Sequence, residues 1–397
     1  MSPRTHSRPF DVALLGATGF TGTLTAEYLA AHLPPGARLA LAGRNQAKLE
    51  AVRDRLVGIN QQLEGIALLH GESSDPQSLA RVAESARVVI TTVGPYLEHG
   101  EPLVAACAAA GTDYVDLTGE PEFVDRMYVE HHATAERTGA RIVHACGFDS
   151  IPHDLGALFT VQQLPSGVPV TLRGVVRTNA TISGGTLHSG LGQLSRPRAM
   201  RQAAAGRRRL EPQPRGRQVR TRIGRPRRDH MLGAWLIPLP TIDPDVVRRS
   251  ALARPDYVPD FTYSHYAGAR HVATVGGALA GFTAALAAVQ VPPLRRAIGR
   301  RIPSAERRDR TWFTVDIVGE GGGQIVHTQV SGADPGYTET AKMLAESALS
   351  LAFDDNPPTA GQVTTATVMG ENLLRRLGDA GISFTVITSQ TATHAGR

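Results

Sequence analysis

The chain has 397 residues, a formal net charge of +6, 42% hydrophobic and 20% charged residues. Those proportions belong to a globular protein of about two domains with a sizeable core. Two cysteines, Cys107 and Cys146, exclude a disulfide framework and a cysteine-rich zinc site, and no metal-ligand set is read from the spacing. Met1 to Pro9 is polar and lacks the apolar stretch of a signal peptide, so a cytoplasmic location is expected.

The first element is a strand over Asp11–Leu15 that runs into Gly16-Ala17-Thr18-Gly19-Phe20-Thr21-Gly22 and then an Ala/Leu-rich helix over 22–31. Strand, glycine turn and helix in that order make a dinucleotide fingerprint. Gly16 serves the tight turn, Gly19 lets the backbone approach a pyrophosphate, and Gly22 lets helix and strand pack. Thr18 and Phe20 lie in the same turn and join the expected cofactor contacts. The second strand, over 39–42, ends in Gly43-Arg44. An acidic residue there binds the ribose 2′-hydroxyl of NAD, whereas a guanidinium clamps a 2′-phosphate, so NADP(H) is the expected cofactor. Lys48, one turn along the next helix, adds charge.

Further strands are expected over 66–70, 87–93, 114–117 and 141–145, with helices over 47–56, 78–85, 101–110 and 124–138 between them. This alternation predicts an α/β, Rossmann-type doubly wound parallel sheet over residues 1–150. Ligands bind beyond the carboxyl ends of such strands. The expected cofactor contacts there are Asp75, Val93, Gly94, Pro95 and Cys146. Tyr96 and Glu120 are the candidate catalytic residues, with Tyr114 and His153 as further proton-donor candidates.

After residue 150 the pattern changes. Strands over 170–178, 180–185, 312–319 and 324–331 alternate poorly with helices. They predict a second α+β sheet domain over 151–350, built to close over the cofactor. A helix over 337–352, a terminal helix over 361–377 and a strand over 383–388 follow. Residues 351–397 form a C-terminal segment with a return to the first domain open to it. Arg196 to Arg228 holds thirteen arginines against one acid, Glu211, and reads as a flexible basic loop. No aromatic residue is interleaved and only two lysines occur in the chain, so nucleic acid is not an expected partner. An acidic acyl carrier group or an anionic membrane surface fits the loop better. Val272 to Val291 carries no charge across twenty residues but is mostly Ala and Gly. It reads as a buried or interfacial helix rather than a span, with peripheral membrane or lipid contact as the alternative.

GATGFTG, LAGR, TTVGPY, the run Gly111 to Glu120 and ACGFDSIPHDLG together resemble the saccharopine dehydrogenase-like oxidoreductases. Within them the chain is similar to the bacterial trans-acting enoyl reductases. The resemblance implies a Rossmann domain, a second sheet domain and reduction of an acyl or lipid-like substrate with NADP(H). An amino-acid-type dehydrogenase and a non-catalytic NADP-binding protein at a lipid surface stand as alternatives. A short-chain dehydrogenase is excluded, because neither Lys48 nor Lys342 has a tyrosine four residues earlier. A small-molecule or acyl substrate is the expected partner, and an oligomer is compatible with the sequence.

Overall fold

The computed structural model describes residues 8–180, 196–213, 216–257, 259–271 and 305–391. The chain divides into two compact units. The first comprises Met1–Gly147, Arg198–Leu210 and Thr340–Val363; the second comprises Phe148–Pro197, Glu211–Glu339 and Thr364–Arg397.

The first unit is built on seven parallel strands. These are β1 (Phe10–Leu15), β2 (Leu39–Gly43), β3 (Ala67–His70), β4 (Ala86–Thr91), β5 (Asp113–Asp116), β6 (Arg141–Val143) and β14 (Gly361–Val363). Their spatial order is β14-β6-β5-β4-β1-β2-β3. It contains the Rossmann order, whose reversal point lies between β1 and β4. Leu15 pairs with Ala42 on one side and Thr91 on the other, so the ends of β1, β2 and β4 emerge level with one another. Val12, Ala13, Leu14, Val88, Val89 and Ile90 are wholly buried, as strands covered on both faces must be. The crossovers are α1 (Phe20–His32), α2 (Gln46–Val57), α3 (Pro76–Ser85), α4 (Tyr96–His99), α5 (Glu101–Ala110) and α6 (Pro121–Thr138). Asn45 caps α2 by accepting from the Lys48 amide, and Asp75 caps α3 by accepting from the Gln77 and Ser78 amides.

The second unit is a mixed sheet with the order β15-β13-β12-β7-β11-β10-β9, and β8 pairs with β11. The strands are β7 (Val170–Thr178), β8 (Gln218–Thr221), β9 (Arg227–Asp229), β10 (Ala234–Pro238), β11 (Asp260–Ala269), β12 (Phe313–Gly321), β13 (Gln324–Gly332) and β15 (Ser383–Thr391). Helix α7 (Ile151–Val161) lies against it at Gly156. A Cβ there would stand 2.7 Å from the Ile317 side chain and 2.9 Å from that of Val330, so only glycine admits this approach.

Two expectations are corrected. The arginine-rich run is not a loop: Pro197–Leu210 is a helix, and β8 and β9 follow it. Its alanines, arginines, Met200 and Gln202 are good helix formers, and one side is anchored. Arg207 is buried, sits 3.7 Å from Asp125 and stacks 4.1 Å over the Tyr128 ring. The terminal helix expected over 361–377 begins instead as β14, which pairs parallel with β6, and helices cover only Thr365–Val368 and Gly370–Asp379. Gln362 fixes β14 in place, taking its amide to His132 Nδ1 at 2.9 Å and its side chain to the Val124 carbonyl at 3.0 Å. The apolar segment 272–291 and nearly all of the strand expected over 180–185 lie outside the described residues. Among the described residues no helix is long and apolar enough to cross a membrane.

Candidate active site

The turn after β1 is shaped by two of its three glycines. Gly16 has φ +91°, and a Cβ on it would lie 2.8 Å from Thr92 Oγ1 and 2.9 Å from a Val93 methyl. A Cβ on Gly22 would lie 2.1 Å from the Gly16 carbonyl oxygen. No side chain fits at either place, because α1 must approach the turn and the turn must approach the end of β4. Gly19 differs. Its backbone is ordinary extended chain, φ −79°, and the nearest neighbour of an added Cβ is the Gly16 oxygen at 3.4 Å. Thr18 and Gly19 are exposed.

Helix α1 starts at Gly19 without a side-chain cap. The Thr23 hydroxyl donates to the Ala17 and Gly19 carbonyls. A helix start behind a glycine turn, whose N-cap residue offers no side chain to the first amides, fits a diphosphate group. At the end of β2, Arg44 and Lys48 are exposed, and neither side chain forms a hydrogen bond or ion pair among the described residues. Two cations held clear of internal acids fit a phosphate ester. Asp75 is less suited to the cofactor contact expected of it, since its Oδ1 is committed to capping α3 at 3.0 and 3.2 Å.

At the end of β4, Thr92 donates its amide to Leu15 and its hydroxyl to Gly16, fastening this loop to the glycine turn. Val93 donates its amide to Thr91 Oγ1. The Gly94-Pro95 peptide is cis. Glu120, 1% exposed, then receives the Tyr96 amide on Oε1 at 3.2 Å and the Leu97 amide on Oε2 at 2.8 Å. The Tyr96 hydroxyl donates to the Thr91 carbonyl and accepts from the Leu117 amide, each at 3.1 Å. Burial, and next the nearby Asp116 carboxylate, push this phenol well above its usual range. Tyr96 therefore keeps its proton, and that proton is directed at backbone. Tyr96 and Glu120 tie the β4 and β5 loops together, and the proton-donor role expected of Tyr96 does not match this geometry.

The spacing of the sequence gave no sign of Asp116. Its Oδ1 accepts from the Thr118 and Ala145 amides, both at 3.0 Å. Its Oδ2 accepts from the Tyr114 hydroxyl at 2.9 Å and lies 2.7 Å from His144 Nδ1. Its carbonyl accepts from the Cys146 amide at 2.7 Å. One carboxylate thus fixes the exits of β5 and β6. Tyr114 commits its proton there, and burial raises its pKa well above the usual range, so it is no donor to a substrate. Cys146 is fully buried with its thiol toward the Val143 carbonyl at 3.5 Å, which suits packing rather than reaction.

Residues 12–143, from β1 to the end of β6, match the family model of the saccharopine dehydrogenase NADP-binding domain. A trans-acting enoyl reductase of Mycobacterium tuberculosis is 36% identical, covering 96% of this chain and 98% of its own length. A second protein of that organism, provisionally given the same name, is 38% identical over 95% of this chain and 97% of its own. The chain belongs to the trans-acting enoyl reductase family, within the saccharopine dehydrogenase-like oxidoreductases. It is an NADP(H)-dependent oxidoreductase, and a small molecule is its substrate. The fold is shared with yeast saccharopine dehydrogenase (L-Glu forming), at a TM-score of 0.55 and 12% identity, covering 96% of this chain and 100% of that one.

For such an oxidoreductase the first unit brings together Gly16, Thr18, Gly19, Phe20 and Gly22 at the start of α1, with Val93, Gly94 and Pro95 on the neighbouring strand end. Arg44 and Lys48 stand at the next strand end along. His153 belongs to the second unit, where it is 2% exposed beside Asp243 and His265.

Proposed function

We propose that the chain reduces the carbon–carbon double bond of an α,β-unsaturated acyl thioester with NADPH. Bound NADPH supplies a hydride for the β-carbon, and the α-carbon takes a proton. The start of α1 binds the diphosphate through its amides, while Gly16 and Gly22 keep the space that a side chain would close. Arg44, with Lys48, binds the 2′-phosphate. Gly94-Pro95, held by Glu120, Tyr96 and Thr92, is the wall against which the nicotinamide is oriented. Tyr96 and Glu120 act as positioning residues for that wall. The observation that carries this reading is the uncapped helix start behind a turn where no Cβ fits, in a chain matched along nearly its whole length by enoyl reductases.

The test is NADPH oxidation by the purified chain with 2-enoyl thioesters of coenzyme A and of an acyl carrier. Product mass should rise by two hydrogens, and deuterated NADPH should leave its label at the β-carbon. Turnover of a keto acid plus an amine, with none of any enoyl thioester, would replace this reading by the amino-acid-type one.

A further inference from the structure

The second unit contains a buried centre outside the residues assigned above to the cofactor and its wall. His153 lies in the first turn of α7, Asp243 begins the helix Asp243–Ala253, and His265 lies in β11. They are 2%, 4% and 4% exposed, and one donor atom from each lies within 4.8 Å of the other two. His153 Nε2 is 3.8 Å from Asp243 Oδ1, and His265 Nε2 is 3.6 Å from Asp243 Oδ2. Both separations are too long for hydrogen bonds. Asp243 Oδ1 and His265 Nε2 accordingly have no hydrogen-bond partner although both are buried. Leaving a carboxylate oxygen and an imidazole nitrogen so placed is costly unless something else satisfies them.

Tyr263 shows which side of each ring is in use. Its hydroxyl stands 3.4 Å from His153 Nδ1 and 3.4 Å from His265 Nδ1. The two Nδ1 atoms thus face one phenol while the two Nε2 atoms face one carboxylate. A phenolic oxygen can accept from two Nδ1–H groups, which leaves both Nε2 lone pairs directed toward Asp243. Two ligands at ~2.0–2.1 Å from one ion stand roughly 3.3–3.5 Å apart at near-tetrahedral angles, a few tenths of an ångström inside the 3.6 and 3.8 Å separations from Asp243. Burial lowers both imidazole pKa values, that of His265 to about 3, and raises the Asp243 carboxyl well above its usual range.

We propose that His153 Nε2, His265 Nε2 and the Asp243 carboxylate bind one divalent transition-metal ion of the zinc class, with Tyr263 positioning both imidazoles. Nitrogen and carboxylate donors suit that class, and the three ligands come from two helices and a strand, so the ion pins α7 and the helix Asp243–Ala253 to the sheet. A fourth coordination position is left for a non-protein ligand. A second trio, Glu101, Glu130 and His131, also joins histidine to carboxylates but is more exposed, and His131 Nε2 is already 3.0 Å from Glu101. It serves as the control.

The experiment is elemental analysis of the full chain after gel filtration, with thermal melts of chelator-stripped protein titrated with Zn2+ and Co2+. The expected result is about one ion per chain, a higher melting temperature on adding Zn2+, and a visible Co2+ absorption of low-symmetry coordination. His265→Gln and Asp243→Asn should each retain less than about a tenth of the ion, Tyr263→Phe should bind about tenfold more weakly, and His131→Gln should be unchanged. Metal-free wild type whose melting temperature is unmoved by Zn2+ and Co2+ overturns the proposal. So does an ion retained by His265→Gln but lost from His131→Gln. Where a variant fails to fold, the wild-type titration alone decides.

Discussion

Two buried polar clusters in this molecule differ in how their carboxylates are satisfied, although His144 Nε2 beside Asp116 is itself buried without a partner. At the carboxyl edge of the first sheet, Asp116 accepts three hydrogen bonds and faces a histidine, Glu120 accepts two backbone amides, and Tyr96 both gives and receives one. In the second unit, Asp243 and His265 each leave a buried atom without a partner. A carboxylate whose oxygens are all taken up by internal donors holds the chain in shape; one that is buried with an oxygen unsatisfied is open to a ligand. The difference separates positioning from binding without reference to how unusual a residue looks in sequence. It also turns Tyr96 from a candidate acid into part of a frame.

The comparison is broken most sharply at the glycine turn. Gly22→Ala places a Cβ 2.1 Å from the Gly16 carbonyl, a backbone atom that cannot swing aside. NADPH binding should be lost, by at least about a hundredfold, as measured by fluorescence titration. A folded Gly22→Ala protein with wild-type affinity would mean that the turn does not form the diphosphate site.

Removal of Glu120 tests the frame itself. Glu120→Ala leaves the buried Tyr96 amide and the half-buried Leu97 amide without acceptors and should cost about 3 kcal/mol in chemical denaturation. NADPH affinity should fall with it, because the Gly94-Pro95 wall loses its support. An equal loss of activity with unchanged stability would instead make Glu120 a participant in the chemistry.

Arg44→Ala acts on a side chain that has no partner among the described residues, so stability should be unaffected. Loss of a charge-assisted phosphate contact costs about 1.5–3 kcal/mol, which is roughly a tenfold or greater loss of NADPH affinity with NADH unaffected. Equal loss for both cofactors would place Arg44 elsewhere than at the 2′-phosphate.

Tyr96→Phe should be the mildest change. It removes one hydroxyl tie between two loops, worth about 1 kcal/mol, and should leave the pH dependence of turnover as it was. Loss of the alkaline limb of the pH–rate profile would return Tyr96 to the role of proton donor.

Much of the first unit was legible because its signals are local. GATGFTG sits between an apolar strand and a helix, and Gly43-Arg44 directly follows β2, so one stretch of chain carries each inference. What stayed hidden depends on contacts between distant segments. Strand β14 is only three residues long and precedes a helical pattern, so nothing before Thr364 marks it as the seventh strand of a sheet. The helix Pro197–Leu210 was masked by its arginines, one of which is buried against Asp125 and Tyr128 more than seventy residues away. His153 was visible as a residue but not as a site, because Asp243 and His265 lie about a hundred residues further on with no motif spacing to join them. Gly19 was read as letting the backbone approach a pyrophosphate, and its ordinary φ with open space around an added Cβ is compatible with that approach.

A crystal structure with NADP+ tests the central claim most directly. The account predicts the diphosphate over the first amides of α1, the 2′-phosphate against Arg44, and the nicotinamide in contact with Gly94-Pro95. A dinucleotide bound elsewhere, or with its nicotinamide out of contact with Gly94-Pro95, would contradict it.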